Sequence, residues 1–239
     1  MRKVYVIFRW MSIITVLFIL LVFTNNRQDM QKQSLDRIII KGVDNSFVDK
    51  ISVLDYLQQK LVRSDSIFSD IFSKQKIEMV LESHPNIKQA EVFTNQKGNL
   101  GIVIEQKKAV VRVKTDAEDY YLDEFGVRMS TSENYTPRLL VATGNISASN
   151  RMDLFNFVKL ISKSDFWSSQ ITQIHFEENN ILLIPSVGDH KIHLGSFDNI
   201  IDKLDNLYHF YKTAIPIKGW QAYTDINLKF KNQIVCTKK

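Results

Sequence analysis

The stretch Glu82-Ser83-His84-Pro85-Asn86-Ile87-Lys88-Gln89-Ala90-Glu91-Val92 marks a change of hydrophobic period. Upstream of it, Ile77, Val80 and Leu81 share one helical face, and Pro85 disfavours helical geometry at His84, so a helix has to stop there. Downstream, Ala90-Glu91-Val92-Phe93 and Leu100-Gly101-Ile102-Val103-Ile104-Glu105 flank the turn-rich Asn95-Gln96-Lys97-Gly98, which predicts a hairpin. Towards the N-terminus, Val48, Ile51, Leu54, Leu57 and Leu61 recur at near-helical spacing. Before them, Arg37-Ile38-Ile39-Ile40-Lys41-Gly42 is a β-branched run stopped by glycine. The expected order over residues 37–106 is strand, helix, helix, strand, strand.

Past Lys107 short strands dominate. Val110–Val113, Tyr120–Leu122, Val127–Met129 and Arg138–Val141 are predicted strands, with Asp123-Glu124-Phe125-Gly126 turning between two of them. Leu154, Phe157, Val158 and Ile161 predict a helix, and Ile174–Glu177, Ile181–Ile184 and Lys191–Leu194 further strands. A long helix follows, with Ile200, Ile201, Leu204, Leu207, Tyr208 and Tyr211 expected on one face. Ile226-Asn227-Leu228-Lys229-Phe230-Lys231 alternates strictly, as a half-buried strand does, and Asn232 and Gln233 turn it into Ile234-Val235-Cys236-Thr237. Residues 107–239 read as a mostly antiparallel sheet with packed helices, so the fold class is α+β.

At the N-terminus, Val4 to Phe23 is a predominantly apolar run in which Arg9 is the only charge, long enough for a helix across a bilayer core of about 30 Å. Arg2, Lys3 and Arg9 on its leading side place the N-terminus in the cytoplasm. A cleaved signal peptide would have a shorter apolar run and a small-residue cleavage site, and Val22-Phe23-Thr24-Asn25 is a poor one. The expected organisation is a cytoplasmic tail (1–3), a transmembrane helix (4–24), a polar linker (25–36), and domains at 37–106 and 107–239.

The formal net charge of +5 does not indicate a nucleic-acid partner. Three of the 31 basic residues precede residue 25, where there is no acid, which leaves 28 basic against 26 acidic in the rest. Catalytic signals are equally weak. Of His84, His175, His190, His193 and His209, only the pair His190 and His193 is close, and three residues apart on a strand they point to opposite faces, so no metal site is expected. Asp119, Asp123 and Glu124 flank a turn, where acids serve as solvated turn formers. Trp167, Tyr208, Phe210, Tyr211 and Trp220 fit core packing better than a ligand cleft, and Gly98-Asn99-Leu100-Gly101 lies in a hairpin. Cys236, the only cysteine, reads as a small buried hydrophobe. No cofactor, small-molecule substrate or catalytic residue is expected.

The order of parts resembles the bacterial division family FtsQ (DivIB). The stretch from Glu82 to Val92 is similar to the end of the second helix and following strand of that family's POTRA module, and Val110–Val113, Tyr121–Gly126 and Pro137-Arg138-Leu139 to the start of its β domain. Ile226–Phe230 resembles its penultimate strand, with Lys229-Phe230 where an Arg-Tyr pair is common. The chain departs from the pattern at Ala109-Val110, where the family commonly has Pro-Val, which implies a less rigid domain junction. The resemblance implies a non-catalytic scaffold in the inner membrane at the division septum, with its bulk outside the cytoplasm. Its implied partners are FtsB (DivIC)-like and FtsL-like proteins, and its implied role is to help regulate septal cell-wall synthesis.

The mechanism it implies is strand addition at a sheet edge near the C-terminus, with Lys229, Phe230, Lys231, Asn232, Gln233, Ile234 and Val235 as contact residues. The alternative for Ile226, Leu228 and Phe230 is that they are core residues of an inner strand; for those facing inward that reading is favoured, so the edge backbone and the exposed side chains carry the expectation. Two other classes stay open: a POTRA-containing envelope transport or secretion factor, and a membrane-anchored cell-wall enzyme.

Overall fold

A computed structural model of the chain describes residues 10–20, 35–41, 46–62, 74–95 and 99–239. Residues 10–20 are helical (α1), and all their side chains are exposed. The remainder of the expected 4–24 span lies outside the described residues, as do residues 1–3 and most of the expected linker. Among the described residues no helix is long and apolar enough to cross a membrane.

The chain forms two compact units. The smaller comprises Met1–Lys41, Lys50–Glu82 and Gln89–Glu105, and the larger Gly42–Asp49, Ser83–Lys88 and Gln106–Lys239. The elements begin with β1 (Leu35–Ile40), α2 (Lys50–Val62), α3 (Lys74–Glu82), β2 (Ile87–Thr94) and β3 (Leu100–Gln106). Their three strands lie in the order β1-β3-β2, with β1 parallel to β3. Parallel neighbours need a crossover, which α2 and α3 supply. Val53 and Leu57 of α2 and Ile77 and Leu81 of α3 are buried, as are Ile102 and Ile104 of β3. The smaller unit thus has its own core.

The larger unit continues with β4 (Ala109–Lys114), β5 (Asp119–Asp123), β6 (Arg128–Ser130), β7 (Val141–Gly144), α4 (Arg151–Ile161), α5 (Asp165–Gln170), β8 (Ile171–Phe176) and β9 (Ile181–Pro185). It ends with β10 (Lys191–His193), α6 (Ile200–Thr213), α7 (Ile215–Lys218), β11 (Tyr223–Asn227) and β12 (Val235–Lys238). All nine strands form one sheet in the order β12-β11-β10-β9-β8-β7-β4-β5-β6. The hairpin neighbours are antiparallel, while β4·β7, β7·β8 and β10·β11 are parallel. The fold is α+β, with a sheet rich in antiparallel pairs.

Helices bridge two of the parallel pairs, α4 and α5 between β7 and β8, and α6 and α7 between β10 and β11. Leu154, Phe157, Val158 and Ile161 of α4 share one core with Leu204, Leu207 and Tyr211 of α6, and with Val111, Ile174, Leu183, Ile192 and Ile226 of the sheet. Ser164 caps α5, its hydroxyl accepting the Trp167 N–H at 3.4 Å. A smaller cluster joins Phe47, Ala109, Tyr121 and Met129.

Three expectations need correction. In α6, Ile201 is 62% exposed and Tyr208 also reaches solvent. At about 100° per residue, both fall roughly 80–100° from Ile200, beside the stripe of Leu204, Leu207 and Tyr211 rather than on it. The strand expected at Arg138–Val141 begins only at Val141 and runs to Gly144, because fully buried Ala142 is the residue that faces the core between β4 and β8. The alternation read over Ile226–Lys231 is strand only as far as Asn227. Leu228 is still buried, but its N–H donates to the His193 carbonyl as the chain leaves the strand.

Leu207 is fully buried, so Leu207→Ala should cost about 2–5 kcal/mol of unfolding free energy in denaturant titration. Two histidines make stability depend on pH. Burial lowers the pKa of His190, the Trp220 carbonyl opposing it, and burial followed by the charge of Lys107 lowers that of His84. Both folded values lie below the ordinary 6.5, so below that pH the unfolded chain binds more protons and stability falls as pH falls. Melting temperature should therefore drop between about pH 7 and pH 5, and His190→Gln should flatten that slope. The depressed carboxyls of Asp119 and Asp225 act in the same direction, but below about pH 4. An unchanged slope in His190→Gln would contradict the assignment.

Candidate partner-binding edge

β11 and β12 form the last hairpin, and β12 is an outer strand of the nine-stranded sheet. Its turn is built from local polar chemistry. The Asn227 side chain accepts the Lys229 N–H at 3.0 Å, and Asn232 adopts a left-handed conformation (φ 57°), which asparagine tolerates better than most residues. The stem of Lys229 lies over Gly195, whose missing side chain leaves room for it. At the far end of the strand the Lys239 N–H donates to the Ala222 carbonyl at 3.2 Å, and its ammonium pairs with Asp189 at 3.2 Å.

Of the expected contact residues, Lys229, Phe230, Lys231, Asn232, Gln233 and Ile234 lie in this connection, and only Val235 belongs to a strand. Phe230 is 48% exposed and Val235 46% exposed, while Ile226 and Leu228 are buried. The three apolar residues of the alternating run therefore part company. Two are core, and Phe230 is carried out to solvent by the turn. Ile234 and Cys236 pack against the edge of the core, so Cys236 is half-buried rather than fully buried.

The register shows which backbone groups β12 leaves open. Asn227 pairs with Val235 and Asp225 with Thr237, and the Lys239 N–H also points to β11. Strand alternation then turns the N–H and C=O of Cys236 and Lys238 outward, and these find no partner among the described residues. The strand expected at Ile234–Thr237 is thus found at Val235–Lys238, one residue further on.

Two of the other outer strands, β2 and β6, are managed differently. On β2, the Ala90 and Val92 N–H groups donate to the carboxylates of Glu82 and Glu78 of α3, at 3.3 and 2.7 Å. On β6, the Ser130 N–H donates to the Asn86 side chain at 2.8 Å. Both are blunted edges. β1 resembles β12, with Ile38 and Ile40 turned outward by the same alternation, since the Lys41 N–H is used towards Ile104.

Beside the edge, on β10 and β11, His193 Nε2 lies 2.7 Å from an Asp225 carboxylate oxygen. That bond, with a second from Thr224, holds the Asp225 carboxyl below its ordinary range. The other histidine of the expected pair, His190, is buried with Nε2 2.7 Å from the Tyr211 hydroxyl and its ring stacked on Trp220. The two histidines thus serve different neighbours. Among the described residues no three His, Cys, Asp or Glu side chains gather as a metal site would require.

Asp123 departs from the solvated role expected of it. It is 2% exposed and accepts the N–H groups of Phe125 and Val127 at 2.9 and 2.8 Å. Asp119 pairs with Arg112 at 2.7 Å. Of the aromatic set, Trp167 and Tyr211 are buried in the main core, while Phe210 and Trp220 pack at its margin.

No curated protein matches the chain. Residues 108–237, more than half of the chain and nearly all of the nine-stranded sheet, match the family model described as FtsQ/DivIB, C-terminal related. With that match, the chain belongs to the FtsQ/DivIB family of cell division proteins.

Proposed function

We propose that the protein is a non-catalytic, membrane-anchored scaffold of the bacterial division machinery, which binds an FtsB (DivIC)-like partner, with FtsL-like and other division proteins, by strand addition at β12. The observation that carries this reading is the outward-facing backbone of Cys236 and Lys238 on an outer strand. Main-chain bonds to an added strand supply affinity there, and the exposed side chains of Phe230, Val235 and Thr237 supply specificity. β12 is preferred to β1 because the family match covers it as far as Thr237 and does not reach β1.

The remaining parts are proposals of the same kind. Residues 37–106 act as a POTRA-like module, which their element order supports. Residues 4–24 act as an uncleaved span with the N-terminus in the cytoplasm and the bulk of the chain on the far side, at the septum. The mostly apolar, exposed side chains of residues 10–20 support this, because such a surface needs a non-aqueous partner. Septal cell-wall synthesis is influenced through the bound partners.

Proline replacements test the edge directly, since proline removes one N–H. Cys236→Pro and Lys238→Pro should abolish binding of the FtsB-like partner with the fold retained, measured by calorimetry alongside melting. Thr237→Pro should also lower the melting temperature, because its N–H serves the β11 ladder. Truncation after Asn232 should remove binding, and Phe230→Ala should weaken it with little change in melting. Unchanged affinity in folded Cys236→Pro and Lys238→Pro would sink strand addition at β12.

The anchor is tested separately. Full-length protein should stay in membranes through alkaline carbonate washing, and protease added to spheroplasts should digest everything beyond about residue 30. A soluble form starting near Asn25 would show that the N-terminal segment is cleaved.

A further inference from the structure

The β5–β6 turn is built far more firmly than a surface connection needs. Buried Asp123 accepts the Phe125 and Val127 N–H groups with one carboxylate oxygen, its carbonyl accepts the Gly126 N–H at 3.0 Å, and its own N–H donates to the Val127 carbonyl at 2.9 Å. Gly126 closes the turn at φ 78°, and a side chain there would press on the Phe155 ring. The Glu124 N–H ties the turn to the Lys108 carbonyl at 3.1 Å. The result is to hold two apolar side chains out in water, Phe125 at 64% and Val127 at 52% exposure.

These two side chains line a cleft of about 260 Å³ together with Lys88, Lys107 and Lys108. The charge around it is unbalanced. Asp123 is engaged with backbone donors, and Glu124 pairs with Lys88 at 3.3 Å. Among the described residues Lys107 and Lys108 have no carboxylate within ion-pair distance. Lys88 also lies 5.9 Å from the centre of the Phe125 ring.

We infer that this turn and cleft are a second docking site, for an acidic protein segment that carries a large apolar anchor residue. A rigidly presented aromatic lowers the ordering cost of association, and the lysines select negative charge. The site lies at the opposite end of the nine-stranded sheet from β12, so both are open to occupants at once. It goes beyond the division-scaffold reading and does not depend on strand addition.

The test uses full-length protein in neutral detergent and fluorescence anisotropy with a labelled Glu/Tyr random copolymer, which is acidic and carries aromatic anchors. Poly-glutamate and a Lys/Tyr copolymer are the comparison probes. Phe125→Ala, and Lys107→Glu combined with Lys108→Glu, should each weaken Glu/Tyr binding about tenfold or more, while Phe125→Leu keeps most of it. Lys163→Glu combined with Lys218→Glu, an equal charge change elsewhere on the same unit, should leave it unchanged. Melting temperatures should stay at the wild-type value, because Phe125 is exposed.

Equal weakening by the control pair would reduce the effect to general electrostatics and overturn the site. So would equal binding of the Lys/Tyr copolymer, or insensitivity to Phe125→Ala. Binding of anionic vesicles through the same residues, without Glu/Tyr binding, would make the site a lipid contact and refute the protein-segment proposal. Cys236→Pro and Lys238→Pro should leave probe binding unchanged, so failure here is distinguishable from failure at β12.

Discussion

The handedness of parallel crossovers organises the larger unit. A strand–helix–strand connection between parallel neighbours is almost always right-handed. In this sheet β7 to β8 and β10 to β11 step in the same direction across the strand order, and β7 and β10 run the same way. Two right-handed crossovers with the same sense must put their helices on the same face. The single core shared by α4, α5, α6 and α7 is the outcome. The helices therefore lie on one side of the sheet, and on β4 Val111 and Val113 face them while Arg112 does not; at β5 the other face is covered as well, where Tyr121 packs with Phe47 and Met129.

The same arrangement decides what the outer strands can offer. Side chains from neighbouring segments occupy the outward donors of β2 and β6. β12 is an outer strand, and among the described residues no strand pairs with its free side. Its outward groups are a consequence of sheet order, and its alternation is fixed by the pairing with β11. The β5–β6 turn, at the other end, shows the opposite strategy. There a buried carboxylate is used to make a short connection rigid while its apolar tips stay in solvent, an arrangement that core packing alone does not require.

Much of this was legible in the sequence because it depends on local periodicity. Leu154, Phe157, Val158 and Ile161 announce α4, Pro85 ends α3, and the alternation of Val111 and Val113 marks β4. The family could be read from motif order before any fold was known. Elements whose extent depends on partners were read less well. β7 starts at Val141 because β4 and β8 recruit that residue, and β11 stops at Asn227, whose side chain accepts the Lys229 N–H and starts the turn. α5 is too short for periodicity to declare it.

What the sequence determined by itself is the succession of the strands and longer helices, the apolar N-terminal run and the class of fold, since each rests on residues near one another in the chain. Only the tertiary structure decided which strands became edges, because pairing is non-local and nothing in Val235–Lys238 itself states which strands lie beside it. It also decided the direction of the unpaired groups, since one residue of register exchanges every inward N–H for an outward one. For that reason the outward N–H groups of β12 belong to Cys236 and Lys238, while Lys229–Ile234 lie in the turn before it.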